Sequence, residues 1–202
     1  MDKIAKIMSS VFSPILVPTY GVILAMTCSI LTVLPASTKT WVAFITLLIT
    51  GGIPVLGIAA LYFTRRISDP GLNNRGERTW PYIFTFVAYL LCAFYLYRIN
   101  APEWLWSFPI GGAVAVAVSI VVNLRWKISA HLAAMGGLVA MLFAIVGRGE
   151  AMPCIEWVIA VTILLTGLLA TSRIVLGRHT PWQTIAGAVN GFVCVTLASL
   201  LF

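Results

Sequence analysis

The chain has 202 residues, 60% of them apolar and only 9% charged, and its mean hydropathy is +1.01. Those values lie far outside the range of water-soluble domains and leave no length for a separate soluble one, so residues 1–202 read as a single integral-membrane unit. The formal net charge is +7, yet the basic residues fall in short loops between apolar runs, which is how membrane topology is written and argues against a nucleic-acid partner.

An apolar helix needs about 20 residues to cross the hydrocarbon core. In chain order the apolar runs predict spans at 11–34, 41–63, 81–97, 105–124, 131–147, 154–171 and 184–202. The expected fold class is all-α, a polytopic membrane helix bundle of six to seven transmembrane helices. Lys3 and Lys6 precede the first run, but that run is too long for the core of a signal peptide, so a retained helix is expected there, with an irregular start at Pro14 and Pro18. The third and fifth runs are short, and one of them is expected to be tilted or partly re-entrant. Gly51-Gly52, Gly111-Gly112, Gly136-Gly137 and the Gly187/Gly191 pair read as places of close helix packing. Cys28, Cys92, Cys154 and Cys194 stand alone in apolar segments and read as small packing residues, with neither a structural metal nor a disulfide implied. Trp80, Trp104, Trp106, Trp126, Trp157 and Trp182 lie near span ends, as interfacial anchors do.

With seven spans, ten of the thirteen basic residues share one side with the N-terminus and the loops around 64–80, 125–130 and 172–183. The other side holds Lys39, Arg98 and Arg148, balanced by Glu103, Glu150 and Glu156. The positive-inside rule makes the basic side cytoplasmic. If the cations that a phosphate site would recruit are discounted, the bias weakens but keeps its sign.

Three clusters on that side carry chemistry. The first is Arg75-Gly76-Glu77-Arg78-Thr79-Trp80-Pro81, with a proline suited to open the third helix. The second is Lys127-Ile128-Ser129-Ala130-His131. The third runs from Ser172-Arg173 to Arg178-His179 and on to Gln183. Both histidines of the chain thus sit at loop–helix junctions with cations beside them, near helix N-termini whose free N–H groups favour anions. Guanidinium forks bind phosphate oxygens in bidentate fashion, and an imidazole can attack phosphorus or move a proton. The other reading of the same residues is a basic juxtamembrane face against anionic headgroups.

In order and spacing, the clusters resemble the three motifs of the type-2 phosphatidic acid phosphatase family, also called the lipid phosphatase/haloperoxidase superfamily: K-x6-R-P, P-S-G-H and S-R-x5-H-x3-D. Ser172-Arg173, five residues, then His179 matches the third closely. Ile128-Ser129-Ala130-His131 keeps the serine and histidine of the second, and Arg75-x2-Arg78-x2-Pro81 matches the first loosely. The resemblance implies that His179 is the nucleophile, forming a phosphohistidine, and that His131 is the general acid. It implies that Arg78 and Arg173 clamp the phosphoryl oxygens. Ser129 and Ser172 are candidate hydroxyl donors, and Arg75 and Lys127 further candidates for the same electrostatic role. Gln183 stands where the family has an aspartate, so it can orient the imidazole by accepting from its ring N–H but brings no charge. Arg178 reads either as a substrate contact or, the preferred reading, as facing lipid headgroups.

The resemblance therefore implies a membrane lipid phosphatase acting on a phosphomonoester or pyrophosphate, such as phosphatidic acid, phosphatidylglycerol phosphate, polyprenyl pyrophosphate or a lipid A phosphate. The active site would lie at one membrane face, with no cofactor and no metal, and the expected setting is a bacterial inner (cell) membrane. The alternatives are a lipid-phosphate binding or transport protein that has lost turnover, motivated by Gln183 and the loose first motif, and a structural membrane subunit with an incidental basic face.

Overall fold

The computed structural model describes residues 2–68 and 75–202, with the side chain of Arg75 outside them. Helix α1, Asp2–Val11, is amphipathic: Ala5 and Ser9 are buried, while Ile4 and Ile7 are exposed, as in a helix lying in a membrane interface. The chain turns at Ser13-Pro14 and enters α2, Val17–Cys28.

This replaces the first expected span. Twelve helical residues rise only about 18 Å, short of the roughly 30 Å hydrocarbon core. Pro14 separates α1 from α2. Ser29 ends α2 by bonding back to the Ala25 carbonyl and accepting from Leu31 N. Val17, Val22 and Ala25 are at most 1% exposed, so α2 is a core element wrapped by other helices rather than a lipid-facing span.

Six helices are long and apolar enough to cross a membrane among the described residues, which makes the protein an integral membrane helix bundle. The first joins α3, Ala36–Leu47, to α4, Ile53–Phe63, through a π-helical segment, Leu48–Gly52. Pro54 has no N–H and its ring crowds the carbonyl one turn back, which is why the helix widens there. The others are α5, Thr79–Arg98; α6, Glu103–Asn123; α7, Ala130–Gly147; α8, Ile155–Val175; and α9, Pro181–Leu201. The third expected run, read as short, is a full helix of 20 residues.

Helix α7 is the most buried span and packs on α9, α8, α6 and α2. Its approach to α9 depends on glycine: a Cβ at Gly191 would strike the Ala133 carbonyl, and one at Gly136 the Ala188 carbonyl. Gly52, by contrast, has open space beside it.

Two expectations for single residues are corrected. Trp104 is no interfacial anchor: it is 1% exposed, and its indole N–H donates to Glu150, which gives the buried ring its polar partner. Cys154 is exposed at the start of α8 rather than packed in the core, whereas Cys28, Cys92 and Cys194 are buried.

Candidate functional site

The sequence between Arg173 and Gln183 folds into two consecutive helix caps. At the end of α8, Arg178 N donates to Arg173 O at 3.1 Å and Gly177 N to Ile174 O at 2.9 Å, the pair of bonds of a Schellman motif. That motif needs a left-handed residue, and Gly177 has φ +63°. Thr180 then caps α9 in a capping box with Gln183, and Pro181 opens the helix. Residue 179 falls between the two caps and is turned inward: His179 is only 7% exposed.

Gln183 has a double task in this box. Its Oε1 accepts from Thr180 N at 3.2 Å and lies 3.2 Å from His179 Nδ1. Because the backbone donor fixes which end of the amide faces inward, Nδ1 carries the proton in this contact and Nε2 keeps its lone pair. The neutral side chain thus reaches the ring nitrogen at the position where the resembled S-R-x5-H-x3-D motif has a carboxylate.

The second cluster is tied to the third through backbone. Ser129, the N-cap of α7, donates its N–H to the Gln183 carbonyl at 3.2 Å. The first cluster joins through Arg78, which is 6% exposed and whose Nη1 donates to the Ile128 carbonyl at 3.4 Å. The N-termini of α5, α7 and α9 therefore converge, and each adds a partial positive charge.

The four side chains Arg78, His131, Arg173 and His179 share the wall of one cavity of about 290 Å³. Among the described residues lining it there is no carboxylate. Arg173 Nε is buried without a hydrogen-bond partner. His131 Nε2 lies 3.1 Å from the carbonyl of Ser9 in α1, which leaves Nδ1 as its other ring nitrogen. Lys127 is partly buried and stands outside that wall; its pKa is pushed below the usual lysine value by burial, then by Arg78, Arg173 and Arg178. The imidazole of His179 is held down to about 3, first by burial and then by the charges of Arg173, Arg78 and Lys127, with the Gln183 contact opposing. The free site thus holds a neutral His179 among crowded cations.

The remaining expected residues are placed differently. The Ser129 hydroxyl is fully buried and has no partner, but it is not on the cavity wall. The Ser172 hydroxyl donates to Leu168 O at 2.8 Å and also stands off the wall. The side chain of Arg75 lies outside the described residues.

Two participants were missed in the sequence. Tyr82 is on the wall, 8% exposed, with its hydroxyl buried beside the Arg78 guanidinium. Its N–H bonds to the Arg78 carbonyl, so the two residues lie one turn apart on one helix face. The spacing from Arg78 was a readable signal, hidden because the tyrosine sits in an apolar run. Ser9 gave no signal, since its contact with His131 is purely tertiary.

No curated protein and no solved structure gives a significant match. Residues 125–202, which carry Ser129, His131, Arg173, His179 and Gln183 but not Arg78, match the family model of the PAP2 superfamily, and over that stretch the resemblance read from the motifs is borne out.

Proposed function

We propose that the protein is a membrane-embedded lipid phosphate phosphatase working through a phosphohistidine on His179. The observation that carries this reading is the meeting of a neutral, oriented imidazole with Arg78 and Arg173 at the polar end of an otherwise apolar cavity. A phosphomonoester or pyrophosphate would be held by the two guanidinium forks, with Tyr82 O–H as a further donor. Its charge offsets the cations gathered around His179. Nε2 of His179 forms the P–N bond as the P–O bond to the lipid breaks, and the departing oxygen takes a proton from His131. Water then attacks phosphorus and gives a proton to Nδ1 of the now neutral His131, the P–N bond breaks, inorganic phosphate leaves, and His179 returns to its neutral form with His131 again the imidazolium. The arginines stabilise the charge spread over the equatorial oxygens, where phosphoryl transfer gets most of its help.

His131 can serve as the acid only as the imidazolium, because in the neutral ring the proton on Nε2 is given to Ser9. An arriving phosphate dianion supplies the charge that favours that form.

The test is inorganic phosphate release by the protein in lipid nanodiscs across lipid monophosphates and pyrophosphates, with chelator present and beside His179→Ala. Chelator-resistant release that vanishes in the variant is expected. Release retained by His179→Ala overturns the mechanism. The neutral partner of His179 supports a second reading, a lipid-phosphate binder or transporter, which predicts binding of the same lipids without release.

A further inference from the structure

The last turn of α1 frees one main-chain carbonyl. The final four carbonyls of a helix lack their ordinary partners, and the run Ser10-Val11-Phe12-Ser13-Pro14 decides where each of them goes. Ser10 O would accept from residue 14, but Pro14 has no N–H. Ser13 N turns to Ser10 O instead, at 3.3 Å, and is lost to Ser9 O, its usual acceptor. Met8 O takes Phe12 N at 3.0 Å, and Val11 O takes the Tyr20 hydroxyl at 3.0 Å. Ser9 O is left for His131, 122 residues further along the chain, whose Nε2 lies 3.1 Å away.

The seating of α1 aims that carbonyl. The helix packs against α8, and its buried face carries Ala5 and Ser9, one turn apart. Helix carbonyls point toward the C-terminus, where their dipoles sum to roughly half a negative charge. His131 therefore meets a hydrogen-bond acceptor and the negative end of a dipole together. The described residues of the cavity wall include Arg78 and Arg173 but no carboxylate, so an imidazolium there needs such a counterweight. The contact also directs proton traffic: Nε2 keeps its hydrogen on Ser9 O, and Nδ1 is the nitrogen that exchanges.

We propose that α1 is the positioning element of the proton donor, with Ser9 a positioning residue whose main-chain carbonyl holds His131 and favours its imidazolium. The inference rests on the phosphatase reading of His131 and adds how that acid is oriented and charged. The support comes from outside residues 125–202, the stretch that matches the family model.

The test separates proton donation from folding by the leaving group. In nanodiscs, kcat/KM is compared for butyl phosphate, whose alkoxide needs a proton to depart, and para-nitrophenyl phosphate, whose phenolate leaves without one. Ala5→Trp pushes α1 off α8, and Ser9→Pro bends its last turn. Each should lower release from butyl phosphate by about tenfold or more, while para-nitrophenyl phosphate changes less than about threefold, which also reports an intact fold. His131→Ala should show the same selectivity, and adding either α1 change to it should cost butyl phosphate less than about twofold more. Equal losses on the two substrates in both α1 variants, or an undiminished further loss in the His131→Ala background, overturns the inference. Nitrogen NMR of protein carrying isotope-labelled histidine reads the ring directly, with His179→Ala leaving His131 alone in the spectrum. Hydrogen fixed on Nε2 in that chain, and spread over both nitrogens once Ala5→Trp is added, supports the hold by Ser9. Hydrogen on Nδ1 of the neutral ring overturns it. A supporting spectrum with no release from any wild-type reaction keeps the hold of α1 on His131 while sinking the phosphatase reading.

Discussion

The two ends of the bundle treat charge in opposite ways. At the end holding α9's C-terminus, Arg148 is 3.7 Å from Glu103 and donates to Ser199 O at 2.8 Å, while Glu150 accepts from Trp104. Lys39 there donates to the Thr32 carbonyl at 2.7 Å. Every one of these groups is tied to a partner of matching polarity, and they hold helices together. At the other end, Arg78, Lys127 and Arg173 gather around His179, and Arg178 adds its charge beside Lys127 and Arg173. Cations gathered this closely store repulsion that a bound anion relieves. One end is built to be finished, the other to be completed by a ligand.

The comparison is broken most directly at His179, the proposed nucleophile. His179→Ala should lower phosphate release by roughly 10³-fold or more, whereas Arg148→Ala at the far end should leave kcat/KM within about twofold. The exposed Arg148–Glu103 pair contributes about 1 kcal/mol at most, read as a small drop in melting temperature. Equal losses in the two variants would erase the functional distinction between the ends.

Next in size is Arg173→Ala, expected to cost about 10²–10³-fold in kcat/KM, the scale of losing one preorganised charge at a transition state. It also carries a pH signature. In the free protein His179 stays neutral down to about pH 3, so across pH 5–8 wild-type kcat/KM should show no break from this group. Removing a cation that depresses the imidazole raises its pKa toward the ordinary 6.5, so the variant should gain an acid limb. Such a limb already present in the wild type, with a substrate whose own ionisation is constant, would contradict the crowding argument.

A smaller effect is expected at Gln183. Gln183→Ala removes the partner of Nδ1 together with half of the capping box, so it should lower kcat about tenfold and cost about 1 kcal/mol of stability. Gln183→Glu keeps the acceptor and adds a charge. It should retain the cap, raise the His179 pKa and move the acid limb upward, which a pH–rate series distinguishes from loss of structure. Smallest is Tyr82→Phe, which removes one hydroxyl beside the Arg78 guanidinium and should cost about three- to tenfold in kcat/KM with at most about 1 kcal/mol of stability.

Much of the architecture was legible because a bilayer imposes one simple demand, a run of apolar residues long enough to cross it. The spans from residue 79 onward follow from that demand to within a few residues. The stretch 11–34 met it by composition but not by folding: Pro14 and the Ser29 back-bond cut it to a short helix, and the bundle buries what is left. Trp104 was misread for a related reason, since an aromatic residue near a span end looks the same in sequence whether it faces headgroups or Glu150.

For the site, the sequence by itself determined the residue types and the S-R-x5-H spacing, because local caps at Gly177 and Thr180 turn six residues of chain into one tight return. It also determined that cations and both histidines share one side. Only the tertiary structure decided which of them meet. Arg78 reaches Ile128 across α5 and α7, the Tyr82 hydroxyl is left facing the same wall, and Ser9 claims His131 from the other end of the chain. The apolar depth behind them was likewise a tertiary outcome: it exists because glycines bring α7 and α9 into contact while α2 stops short, and packing voids of that kind are set by how helices meet rather than by any one stretch of sequence.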